Sequence, residues 1–88
     1  MKAPRVDVNH REIVQALAYV GATVQSLASI GKGCPDILVG YRGKNWILEI
    51  KTPTGCVNDY QAKWARDWRG QSAVVRSVAE ALKIIGAA

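Results

Sequence analysis

Two acids and a lysine stand out by type and spacing: Asp36 directly after Pro35, and Glu49 two residues ahead of Lys51. The apolar runs Ile37-Leu38-Val39 and Trp46-Ile47-Leu48 enclose Gly40 and Arg42-Gly43-Lys44-Asn45, a strand-turn-strand pattern. A turn centred on Arg42-Gly43 pairs Tyr41 with Lys44 and, counting outward, Asp36 with Glu49. Directly opposite residues of an antiparallel pair share a face, with Cβ atoms roughly 5 Å apart. Lys51, two beyond Glu49, shares that face. Facing carboxylates repel and weaken a sheet. A hard divalent cation reverses the sign, because such ions take carboxylate, carbonyl and water oxygens. A lysine beside the ion can orient or activate a water, or stabilise developing negative charge. The alternative is a solvated hairpin face on which Lys51 neutralises one acid; an E-x-K triplet alone is common.

The elements that must hold these residues can be read coarsely. Asn9 is expected to cap a first helix with the apolar stripe Ile13, Val14, Leu17, Ala18, ending at Gly21. Ala22 to Leu27 reads as a first strand, and Ala28 to Pro35 as a loop into the hairpin. Asn58 is expected to cap a second helix running to Arg69 and stopped by Gly70. Ala73 to Arg76 reads as a final strand. Ser77-Val78-Ala79-Glu80 is a capping box opening a last helix with Leu82, Ile84 and Ile85 as apolar positions. The order is α-β-β-β-α-β-α, an α/β (mixed α+β) chain whose mixed sheet is flanked by helices.

Gly31-Lys32-Gly33-Cys34-Pro35-Asp36 followed by Glu49-Ile50-Lys51 resembles the G-x-G-x-P-D…E-x-K core of the PD-(D/E)XK nuclease superfamily. More narrowly, the chain is similar to the small stand-alone VRR-NUC domains of phages and bacteria. The likeness extends to Lys51-Thr52-Pro53-Thr54-Gly55, to Gln61 and Trp64, and to Val74-Val75-Arg76, and so covers essentially the whole chain. It implies a restriction-endonuclease-like core, α-β-β-β-α-β with a C-terminal helix, as one domain over residues 1–88. It also implies a site for Mg²⁺ or Mn²⁺ held by Asp36, Glu49 and the Ile50 main-chain carbonyl. Glu12 would ligate directly, through water, or at a second ion. Lys51 would orient and help activate the attacking water, and Gln61 would help place that water or a phosphate.

Each assignment has a plainer counterpart. Glu12 also suits the first turn of a helix capped by Asn9, where the dipole favours an acid. Gln61 lies three residues after Asn58 and suits a local cap. Thr52 and Thr54 suit phosphate contact or a simple connection. Lys63 and Arg66 can reach a DNA backbone or form a solvated helix face. Lys32 lies in a glycine turn that either admits a backbone closely or merely bends; the Walker GK[ST] ending is absent. Tyr60, Trp64 and Trp68 form a row better suited to core or subunit interface than to base stacking.

Composition narrows the classes. The 88 residues carry twelve Lys and Arg against seven Asp and Glu, a net charge of +5. Glu12, Asp36 and Glu49 are three of those acids, so the remaining surface is more basic still, which favours a polyanionic partner. No apolar run approaches the roughly 20 residues of a membrane span. Met1-Lys2-Ala3-Pro4-Arg5 has no hydrophobic core after it, so no secretory signal is expected. Cys34 and Cys56 are too few and wrongly spaced for zinc, His10 is a lone histidine, and two free thiols fit a reducing cytoplasm, which the resemblance implies is that of a bacterial or phage-infected cell. The resulting expectation is a metal-dependent endonuclease cutting branched DNA, with Holliday junctions foremost, by shape rather than base readout. Likeness to archaeal junction resolvases supports that choice. A two-fold homodimer, built on apolar residues of the second and last helices, would set two sites for paired cuts. The alternatives are a nuclease for flaps or nicked duplex, a non-cleaving DNA-binding or scaffolding module, and an interaction protein whose hairpin acids are incidental.

Overall fold

The computed structural model describes residues 5–88, with side chains from Val8 onward. Residues 1–4, which carry most of the expectation about a leader segment, lie outside the described residues. The elements are α1 (Arg5–Tyr19), β1 (Thr23–Ser26), β2 (Ile37–Tyr41), β3 (Lys44–Ile50), α2 (Asp59–Asp67), β4 (Ser72–Val75) and α3 (Val78–Ile84), in the expected order. They form a four-stranded sheet, β1-β2-β3-β4. The first two pairings are antiparallel and β3 with β4 is parallel, the return being made through α2.

The hairpin turns where the sequence places it. Arg42 and Gly43 both have positive φ, 51° and 80°, as the tightest hairpin loops require. Tyr41 pairs with Lys44 and Ile37 with Leu48, so continuing the register sets Asp36 across from Glu49. Asp36 precedes β2 but is already held in the ladder. Its N–H donates to the Leu48 carbonyl at 3.1 Å, and its carbonyl accepts from Leu27 at 2.8 Å.

One face of the sheet makes the core. Ile37, Val39, Trp46, Leu48, Ile50 and Val75 are buried there with Ile13 and Leu17 of α1 and Ala81 of α3. Strand alternation puts Asp36, Leu38, Ile47, Glu49 and Val74 on the opposite face. α2 contributes no buried residue. The Trp64 and Trp68 rings stack with centroids 4.8 Å apart. Tyr60 is 75% exposed and Trp68 44%, so the aromatic row is not core.

Several boundaries differ from the sequence reading, among them β4, which runs Ser72–Val75 in place of Ala73 to Arg76. α1 begins at Arg5, upstream of Asn9. Asn9 is therefore inside the helix and caps nothing; its amide is committed to distant carbonyls, and the capping explanation of Glu12 goes with it. β1 is shorter than expected because Gly21 and Ala22 close a Schellman turn onto Ala18 and Leu17. α2 ends at Asp67, with Trp68 already extended as its C-cap. Among the described residues no helix is long and apolar enough to cross a membrane.

Candidate active site

Asp36 and Glu49 meet at the sheet end of the hairpin. The Ile50 N–H donates to Asp36 Oδ2 at 2.6 Å, which fixes one carboxylate against the neighbouring strand. Glu49 is only 6% exposed, and its Oε1 is buried with no hydrogen-bond partner. Its Oε2 accepts from Gln61 Nε2 at 3.2 Å and lies 3.8 Å from Lys51 Nζ. Burial, and then the Asp36 carboxylate, push the Glu49 carboxyl up to about 7, while Lys51 pulls the other way. Cys34 stands close enough to feel the same pair. Burial, then Glu49, then Asp36 raise its thiol above the ordinary value. Cys34 and Cys56 are both free.

Gln61 forms the local cap and also touches Glu49. Asn58 Oδ1 accepts from the Gln61 N–H at 2.9 Å, and Gln61 Oε1 accepts from the Asn58 N–H at 3.0 Å, a complete capping box. That cap leaves Nε2 to reach Glu49. The cap thus aims the site contact. Gly33 secures the same helix end, since a Cβ there would collide with the Tyr60 carbonyl and its φ is +82°. A cavity of about 250 Å³ opens beside Glu49 and Gln61, walled by Pro35, Val57, Trp64 and Ala73.

The segment leaving Lys51 is also organised. Lys51 donates its N–H to the Val75 carbonyl at 3.0 Å. The Arg76 guanidinium donates to the carbonyls of Thr52 and Gly55, and Asn9 Nδ2 donates to the Lys51 carbonyl. Residue type and spacing alone assign neither Asn9 nor Arg76 a role at the site. Their acceptors lie 21 to 42 residues away in sequence, and a main-chain carbonyl leaves no mark in residue identity.

The other expected residues are more scattered. Glu12 is exposed on α1. Among the described residues no group of three or more His, Cys, Asp and Glu is gathered to hold a metal. Lys32 is exposed with φ 56° between Gly31 and Gly33. Thr52 is half-buried and Thr54 exposed. Lys63 is tied to Asp67 at 2.6 Å, one turn on, and Arg66 is exposed in the last turn of α2.

The donor set suits a hard divalent cation. A buried carboxylate oxygen without a partner, facing a second carboxylate, is a costly arrangement that a cation would relieve. Asp36, Glu49 and the Ile50 carbonyl are the oxygens such an ion would take.

No family model matches the chain, and no curated protein matches it. Among solved structures, a chain described as a VRR_NUC domain is similar with a TM-score of 0.78, over 96% of this chain and 97% of that one, at 24% identity. The fold is that of a VRR_NUC domain. The resemblance carried by the G-x-G-x-P-D and E-x-K residues is thereby met in architecture. In this VRR_NUC-type fold the hairpin, the β3–β4 pairing and the N-terminus of α2 converge on Glu49.

Proposed function

We propose that the chain is a divalent-metal-dependent DNA endonuclease acting on branched DNA, with Holliday junctions as its main substrate. The observation that carries the reading is Glu49: buried, with an unpartnered Oε1, facing Asp36 and flanked by Lys51. Asp36, Glu49 and the Ile50 carbonyl would hold Mg²⁺ or Mn²⁺. Glu12 would ligate directly, through water, or at a second ion. When bound, the ion would polarise the phosphodiester and stabilise charge on the transition state and leaving oxygen. Lys51 would hold the attacking water in line and help remove its proton. Gln61 would keep Glu49 oriented while its own backbone remains in the α2 cap. Thr52, Thr54, Lys32, Lys63 and Arg66 would contact phosphates, and the net charge of +5 would draw in the polyanion. The products would be a 5′-phosphate and a 3′-hydroxyl. A homodimer working in the cytoplasm of a bacterial or phage-infected cell completes the proposal.

The test is Mn²⁺-dependent cleavage of a labelled four-way junction beside a flap, a duplex and a single strand, with Asp36→Ala as control. Junction cutting that disappears in the variant is the expected result. Cutting of flap or duplex instead would keep the chemistry and change the substrate. Tight junction binding by both proteins with no cutting would overturn the nuclease reading in favour of a binding module.

A further inference from the structure

Two side chains outside the proposed ligand set grip the backbone just past Glu49. Asn9, from α1, donates Nδ2 to the Lys51 carbonyl at 2.7 Å and lies 3.4 Å from the Arg76 carbonyl. Arg76, at the end of β4, donates Nη1 to the Thr52 carbonyl at 2.8 Å and the Gly55 carbonyl at 2.6 Å. The Gly55 N–H closes the same loop onto Thr52 at 3.1 Å. Arg76 is itself anchored, its N–H donating to Glu80 Oε1 at 2.8 Å. A half-buried arginine beside a basic nucleic-acid site is ordinarily read as a phosphate contact. Here the guanidinium is spent on carbonyls of its own chain.

We infer that Asn9 and Arg76 are positioning residues for the reaction, holding the backbone of Lys51 through Gly55 so that Lys51 and the threonine loop meet the scissile phosphate in one geometry. The inference rests on the nuclease reading above. Its physical basis is that the lysine head group sits at the end of a long flexible stem, so its average position follows its backbone. A displacement of about 1 Å from a remote change can cost about 100-fold in rate. Asn9 removes freedom at the Lys51 carbonyl, and Val75 removes it at the Lys51 N–H. Arg76 then fixes the next turn through two charge-assisted bonds, which are stronger than neutral ones.

The experiment uses the full chain with Asn9→Ala, Arg76→Ala and Arg76→Lys. Three quantities are read: the single-turnover rate at saturating junction and Mn²⁺, the salt dependence of junction affinity in an Asp36→Ala background without divalent ion, and amide exchange at Gly55. The alanine variants should lose roughly 10- to 100-fold in rate, keep the salt slope, and exchange the Gly55 amide faster. Arg76→Lys should restore little of the rate, because both bonds come from Nη1 at the tip of a rigid, planar guanidinium, and a shorter side chain ending in a strongly hydrated, freely rotating ammonium does not hold the two carbonyls in the same place. A phosphate contact would instead lower the salt slope by about 0.9 in Arg76→Ala and be largely restored by lysine, overturning the inference. Variants that melt earlier but cut at the wild-type rate would show a purely architectural role and also overturn it. Should Arg76→Ala not fold, Asn9→Ser carries the same rate and exchange readouts. Wild-type protein that cuts no DNA overturns the nuclease reading and the role in reaction with it. Unchanged Gly55 exchange in the variants overturns the positioning inference alone.

Discussion

Among the described residues Glu49 is the one charged side chain that is buried. Its protonated form is favoured in the fold, because burial and the Asp36 charge both penalise ionisation. Its folded value, pushed up to about 7, lies above the ordinary 4.5. The stability this contributes is fully present below the ordinary value and is lost as pH rises through the folded one. Metal-free protein should therefore show a falling Tm between about pH 5 and pH 8. Glu49→Gln, which cannot ionise, should flatten that slope and gain stability at the upper end. Added Mn²⁺ should raise the wild-type Tm most at high pH, where Glu49 is charged. Thermal melts across the range decide it: a wild-type Tm that does not fall would remove the premise that two unscreened carboxylates face each other. The pairing of Asp36 with Glu49 was legible in the sequence, since a two-residue turn leaves no freedom in register. The orphaned Oε1 was not, because it depends on how tightly α2 and the hairpin close around one side chain.

At the scale of elements, the turn of the β2–β3 hairpin carries a residue poorly suited to its conformation. Arg42 sits at φ 51°, in a region where a Cβ crowds the following carbonyl at a cost of roughly 1–2 kcal/mol. Asparagine tolerates it far better, and Asn-Gly is the preferred pair for this turn. Arg42→Asn should therefore stabilise the fold, less what is lost when the guanidinium leaves the Tyr41 ring, 5.1 Å away. A net gain of about 0.5 kcal/mol corresponds to a rise in Tm of roughly 2–4 °C in a domain of this size. A lower Tm in the variant would mean that the Arg42–Tyr41 contact outweighs backbone strain. The capping box of α2 was readable because Asn58 and Gln61 are local partners. Asn9 looked like the same device and was not one. Side-chain amides suit caps and long-range clamps equally, and only the fold distinguishes them. The last helix shows a milder case: Ser77 accepts from the Glu80 N–H as a cap should, but Glu80 reaches Arg76 N–H rather than Ser77.

At the scale of the molecule, α1 and α3 seal one face of the sheet while α2 covers the other only in part. That second face bears the half-buried Leu38 and Ile47 and the exposed Val74, alongside the exposed Tyr60 of α2 and its C-cap residue Trp68. Ile84 is also exposed, but α3 lies against the other face of the sheet and Ile84 is no part of this surface. The sequence showed the aromatic row but not which side of the chain it would occupy, because a helix with one apolar stripe reads alike whether it faces core or partner. Eighty-eight residues offer limited buried area from which to draw stability. A two-fold dimer through this surface would need roughly 800 Å² from each copy. It would also give paired sites for the two strands of a symmetric junction, which is the homodimer of the proposed function. Sedimentation at micromolar concentration should then give about twice the 9.6 kDa chain mass, with a Tm that rises with protein concentration. Trp68→Ala combined with Tyr60→Ala should shift the protein towards monomer and uncouple the two cuts, leaving nicked junctions in place of resolved ones. A wild-type monomer that still makes paired cuts would defeat this arrangement, because one copy carries one Asp36–Glu49 site and cannot engage two strands at once.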